Sequence, residues 1–173
     1  LTVSTVSAAT MDDVNAVNDT ATVTAQVTRA TCELVPQGLV AHWRANGTAV
    51  DSTGTFTGLP RGSVDFIPSR AGSGLAFGLN GGGFIEVPDA AALRPAQFTL
   101  AAWVAPQFTM PGDAHAALSK GNTYWLGSVD GGPAVFSLRQ GDTTVSLEGR
   151  TALDEDWHHL AVTHGVSGAI SLY

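Results

Sequence analysis

From Gly38 onward the sequence repeats one device: a short run of β-branched, aromatic and aliphatic residues, then a turn of Gly, Pro, Asn or Asp. The runs are GLVAHW, VDFI, GLAF, GFIEVP, FTLAAWVAP, TYWLGSV, AVFSLRQ, TTVSLEG, WHHLAVTH and AISLY. Nothing sustains a 3.6-residue period, apart from a single helical turn at DAAALRP. Strands this short, separated by turn residues, bury their apolar faces as an antiparallel sandwich or jelly roll. A chain of 173 residues with 44% hydrophobic content is long and apolar enough to build that core. The predicted fold class is therefore all-β.

The first 28 residues read differently. Two alternating runs, LTVSTVSA and TATVTAQV, flank the polar connector MDDVNAVND. This makes a hairpin-like unit that is marginal alone. TRATCELVPQ then breaks the alternation and brings in Pro36, so a linker is expected over residues 29–37. Cys32, the single cysteine, falls in that linker and has no intrachain partner for a disulfide. The chain starts inside one alternating run and stops inside another. It therefore reads as a piece of a longer protein, covalently linked to further domains, with the second domain incomplete at its C-terminus.

Charge removes several function classes. The formal net charge is −7, with 8 Lys+Arg and no basic cluster, so nothing matches the phosphates of nucleic acid. No apolar run reaches the length of a membrane helix, and direct membrane insertion is not expected.

The order of the segments carries a family resemblance. GLVAHWRANGTAVDSTG, with Trp43, Asp51, Ser52 and Gly54, resembles the opening of laminin-G-like, concanavalin A-like jelly rolls. VDFIPSRAGSGLAF, FIEVPD, FTLAAWVAP, LSKGNTYWLGSV and DWHHLAVTH resemble the segments that follow in that family, in the same order. Two departures stand out: Phe77-Gly78 replaces the usual Phe-Asp-Gly, and His164-Gly165 stands where Tyr-Asp is common. Upstream, ATMDDVNAVNDTATVTAQV is similar to the closing segment of immunoglobulin-like Asn-Thr-Ala-Thr repeats of bacterial surface proteins, through Asp13, Asn15, Asn18, Thr20, Ala21, Thr22 and Val23. Together the resemblances imply a jelly roll at 38–173 preceded by the β-hairpin remnant of another β-sandwich at 1–28. They further imply an extracellular or cell-surface module that binds a glycan or an extracellular protein. The alternatives are a spacer without ligand, or an accessory module of a polysaccharide-degrading enzyme.

Catalysis within the chain is not expected. Concanavalin A-like glycosidases place two carboxylates about 5 to 5.5 Å apart across the scissile bond, and the Glu-x-Asp-x-x-Glu pattern that supplies them is missing. Asp154, Glu155 and Asp156 cluster in a turn and read as solvated charges. His158 and His159 are adjacent in a strand, point to opposite faces and cannot chelate one ion together. The run GLNGGG reads as a hairpin between two strands.

Strand parity selects the ligand-binding candidates. Phe98, Leu100, Ala102 and Val104 share one face of their strand, sending Trp103 to the other. Leu160 and Val162 likewise send out His159, and Tyr124 and Leu126 send out Trp125. If these strands are neighbours in one sheet, Trp103, Trp125 and His159 share a surface suited to sugar C–H faces. The competing reading has Trp103 and His159 packed beneath a loop as structural residues. For a metal, calcium is the ion the chemistry suits, and the resemblance places candidate ligands at Asn46 and Asp51. Asp51 otherwise acts as a turn former.

Overall fold

Nine strands among the described residues define the architecture, with side-chain burial alternating most clearly along the two core-lining strands that begin at Phe98 and Pro133. The computed structural model describes residues 37–70, 74–108 and 112–173, and Leu39–Tyr173 form one unit. The hairpin expected at 1–28 and all but residue 37 of the linker lie outside the described residues. The strands are β1 (Leu59–Pro68), β2 (Leu75–Glu86), β3 (Phe98–Val104), β4 (Ala114–Lys120), β5 (Tyr124–Val129), β6 (Pro133–Gln140), β7 (Thr143–Ala152), β8 (His158–His164) and β9 (Ile170–Leu172). Every pairing is antiparallel. β1 and β2 form a long hairpin, β3-β8-β9 a three-stranded sheet and β4-β5-β6-β7 a four-stranded meander.

The three-stranded sheet and the meander enclose the core. Leu126, Ala134, Phe136 and Leu138 come from β5 and β6, and Leu160 and Val162 come from β8. Phe98, Leu100 and Val104 of β3 pack against them, with the Phe98 ring edge-on to Phe136 at 6.4 Å. The inward set of β3 is the one parity predicts: Phe98, Leu100, Ala102 and Val104 are half-buried, while Thr99, Ala101 and Trp103 face solvent.

Three expectations change. GLVAHW is not a strand; its only ladder contact is a bridge between Trp43 and Asp51, because the segment folds around the Asp51 carboxylate instead. GLNGGG is not a hairpin between strands but an irregularity inside the single strand β2, opposite Gly62 of β1, where the pairing register shifts. Gly81 and Gly82 sit at φ of 54° and 85°, and a Cβ on Gly83 would lie 2.0 Å from the Ser63 carbonyl oxygen. The glycines thus let the ladder jog and continue rather than turn. Finally, β4 (AHAALSK) is a strand that alternation did not single out; it pairs with β5 through a bulge between Ala116 and Leu118. The single helical turn is present as a 3-10 turn at Ala91–Leu93.

Candidate functional site

Trp103 and His159 stand on the outer face of the three-stranded sheet, directly opposite one another in the β3–β8 register. Their rings are 4.9 Å apart, tilted by 50°. Trp103 is 49% exposed, and the Arg70 guanidinium lies over its ring at 4.2 Å. The indole is therefore neither buried packing nor a free platform, because a cation–π contact occupies one of its faces.

Trp125 belongs elsewhere. β5 lies in the meander, so the condition that all three candidate strands are neighbours holds for β3 and β8 only. Leu126 of β5 and Val162 of β8 both point into the core, so Trp125 projects from the opposite side of the sandwich to Trp103 and His159. The three side chains do not share a surface. Parity was right for each strand, but sheet membership decided which outer face each side chain joined.

Around Trp125 the register lays a row across all four strands: Ser119, Trp125, Ser137 and Ser146. The Ser137 and Ser146 hydroxyls are hydrogen-bonded at 2.9 Å. Two residues along β5, Gly127 occupies the next outward position, and the indole crosses it. A Cβ at Gly127 would come within 2.8 Å of Trp125 Cζ2 and 2.0 Å of the His115 carbonyl oxygen. Glycine at 127 thus seats the ring and lets β4 approach. Gly127→Ala is expected to lower stability by about 2 kcal/mol through overpacking against backbone, read as a drop in the urea midpoint. On the other side of the row, Asn122, Thr123, Ser137, Arg139 and Thr144 border a shallow open recess with Trp125. Sequence reasoning missed Ser137, Arg139 and Thr144, because only cross-strand register brings them beside the indole.

The metal candidates have other employment. Asp51 is buried, 1% exposed. Its Oδ1 accepts from the backbone N–H of His42 at 2.7 Å and of Thr53 at 3.1 Å. Oδ2 accepts from the Thr53 hydroxyl, and from the N–H of Thr55 at 3.2 Å and of Phe56 at 3.1 Å. Burial pushes this carboxyl up, but the Thr53 hydroxyl and the backbone donors outweigh it and hold the group well below the usual carboxylate range. Five donors use the accepting capacity of one carboxylate, leaving no lone pair for a cation. Asn46 Oδ1 accepts from the Leu75 N–H at 3.0 Å, tying this loop to the start of β2. The Trp43 indole N–H completes the loop by donating to the Phe56 carbonyl at 2.7 Å. Asn46 and Asp51 therefore organise a loop. Among the described residues, no three His, Cys, Asp or Glu side chains gather as a metal centre.

The acidic turn before β8 is solvated. Asp154 accepts from the Asp156 N–H at 3.0 Å and pairs with His158 Nε2 at 2.8 Å, contacts that lower its pKa in that order. His158 faces this turn and His159 faces Trp103, so the adjacent histidines diverge as parity requires.

The described residues thus form an antiparallel β-sandwich with an aromatic recess on one outer face and a ring pair on the other. A family model described as the concanavalin A-like lectin/glucanases superfamily, of laminin-G type, matches residues 79–173, and the chain belongs to that family. No curated protein and no solved structure matches it. Among the described residues, no helix is long and apolar enough to cross a membrane.

Proposed function

We propose that this chain is a non-catalytic extracellular recognition module that binds a glycan on the outer face of the meander, with Trp125 as its platform. The observation that carries this reading is the indole seated across Gly127 beside a row of hydroxyls. A pyranose ring presents a C–H face to an aromatic plane and hydroxyls at its rim, and Trp125 with Ser137, Thr144 and Asn122 complements both. The superfamily, whose name joins lectins and glucanases, supports a sugar as the partner class. Binding rather than hydrolysis is favoured because no carboxylate among the described residues borders the recess, whereas glycosidases of this kind need two. The extracellular placement rests on the family alone.

Glycan-array and calorimetric binding by the whole chain tests the reading. Trp125→Ala is expected to weaken affinity at least about tenfold, or 1.4 kcal/mol. Trp103→Ala, on the opposite face, should change it less than about twofold. A chelator should leave binding unaltered, because the Asp51 carboxylate is already committed to five donors. Loss of binding in the Trp103 variant with retention in the Trp125 variant would move the site to the three-stranded sheet. A folded chain that binds no glycan would leave the spacer role.

A further inference from the structure

We propose that the Trp125 recess selects an acidic sugar, a glycan bearing a uronate-type carboxylate, with Arg139 as the residue that recognises the charge; this rests on the glycan-binding reading above. Arg139 follows Ser137 on the outer face of β6, since Ala134, Phe136 and Leu138 take the inward positions. It lies opposite Thr144 of β7, and its backbone N–H donates to the Thr123 carbonyl at 2.8 Å. Thr123, Arg139 and Thr144 therefore form a second transverse row beside the one that holds Trp125. The recess between the rows is shallow and open.

The charge around this recess is one-sided. Among the described residues, Arg139 is the only charged one bordering it. Its side chain is 50% exposed, and its Nε–H donates to the Gly141 carbonyl at 2.9 Å, which fixes the guanidinium near the β6–β7 turn. The acidic group beside it, Asp142, reaches only 4.0 Å from Nη2 and is fully exposed, so the pair is loose and readily displaced. Glu148 on this face stands opposite Val135, beyond the Trp125 row from Arg139. With Nε engaged, the amino edge of the guanidinium remains to meet a carboxylate with two N–H donors, the geometry arginine serves best. A chain with a net charge of −7 repels acidic polymers in general, so their binding here requires a local cation placed at the platform.

The test uses the whole chain and a panel of uronate polysaccharides (pectate, alginate and hyaluronan), each beside its carboxyl-reduced, neutral form. At least one native polymer should bind at least about tenfold more tightly than its reduced form, with a preference that shrinks as salt rises. Arg139→Gln should erase that preference, bringing the affinities for the native and the reduced polymer within about twofold of each other while the thermal midpoint stays in place. Arg139→Lys, which keeps the charge without the planar fork, should retain part of it. Equal binding of native and reduced polymers, or binding of neutral glycans alone, overturns the acidic preference and leaves Trp125-dependent sugar binding standing. Binding of a uronate unaffected by Arg139→Gln overturns the role of Arg139. Failure of the whole panel, with neutral glycans also unbound, overturns both readings.

Discussion

Asp51→Ala is expected to destabilise the folded unit by about 3 kcal/mol or more at neutral pH, measured by urea denaturation. The carboxylate gathers four backbone N–H groups and one hydroxyl from His42, Thr53, Thr55 and Phe56. Removing it leaves donors without a partner around a site 1% exposed, and each buried orphan costs on the order of 1–3 kcal/mol. Asp51→Asn gives the sharper experiment, because it keeps the volume and turns Nδ2 donors toward existing donors. The folded pKa of Asp51 lies below its unfolded value of about 3.9. Its contribution is therefore complete above that unfolded value and is lost as pH falls toward the folded one, where the unfolded chain takes up a proton the folded chain refuses. The stability gap between wild type and Asp51→Asn should thus be widest at neutral pH and narrow below about pH 4. Exposed acids such as Asp89 and Asp154, whose pKa values are also lowered, are common to both proteins and cancel in the difference. A gap independent of pH would mean that the charged carboxylate is not what organises the loop.

Phe136→Ala is expected to cost about 4 kcal/mol, the range found when a fully buried aromatic ring is truncated in a packed core. Phe136 is 0% exposed, pairs across the ladder with Leu126 and Leu147, and meets the ring of Phe98 from the other sheet. It is the largest fully buried side chain among the described residues, where the two sheets close. A loss of that size is a large share of the 5–15 kcal/mol typical of a domain. Phe136→Leu, which keeps most of the volume, should cost less than about 1.5 kcal/mol. A cost below about 1 kcal/mol for the alanine variant would contradict a core built by the meander against β3 and β8. Because Ser137 follows Phe136 on the opposite face, loosening this contact should also blur the register that aligns the Trp125 row.

The two outer faces are built differently. On the three-stranded sheet, Trp103 already carries a cation on its ring and a tilted histidine ring packed against it. On the meander, Trp125 has glycine beneath it and hydroxyls beside it, with an arginine one row away. The first arrangement is satisfied within the chain, whereas the second leaves polar groups directed to solvent around an aromatic surface. That difference favours the meander for the proposed glycan site, although two of the three aromatic candidates lie on the other face.

Parity along single strands determined a good deal. Alternation alone identified an all-β chain, the inward sets of β3, β5 and β8, and the outward projection of Trp103, Trp125 and His159. It also separated His158 from His159. Those properties are local, because a strand repeats every two residues whatever it pairs with. Tertiary structure decided what depends on partners distant in the chain. It assigned β5 to a different sheet from β3 and β8, brought Arg139 and Thr144 beside Trp125, and closed the Asp51 carboxylate with donors spanning His42 to Phe56. The LNGGG run became a jog in β2 rather than a turn because β1 continued opposite it. The physical reason is common to all four: period and propensity specify which side of its own strand a residue faces, whereas the neighbour it meets there is chosen by how the apolar faces of separate strands pack together.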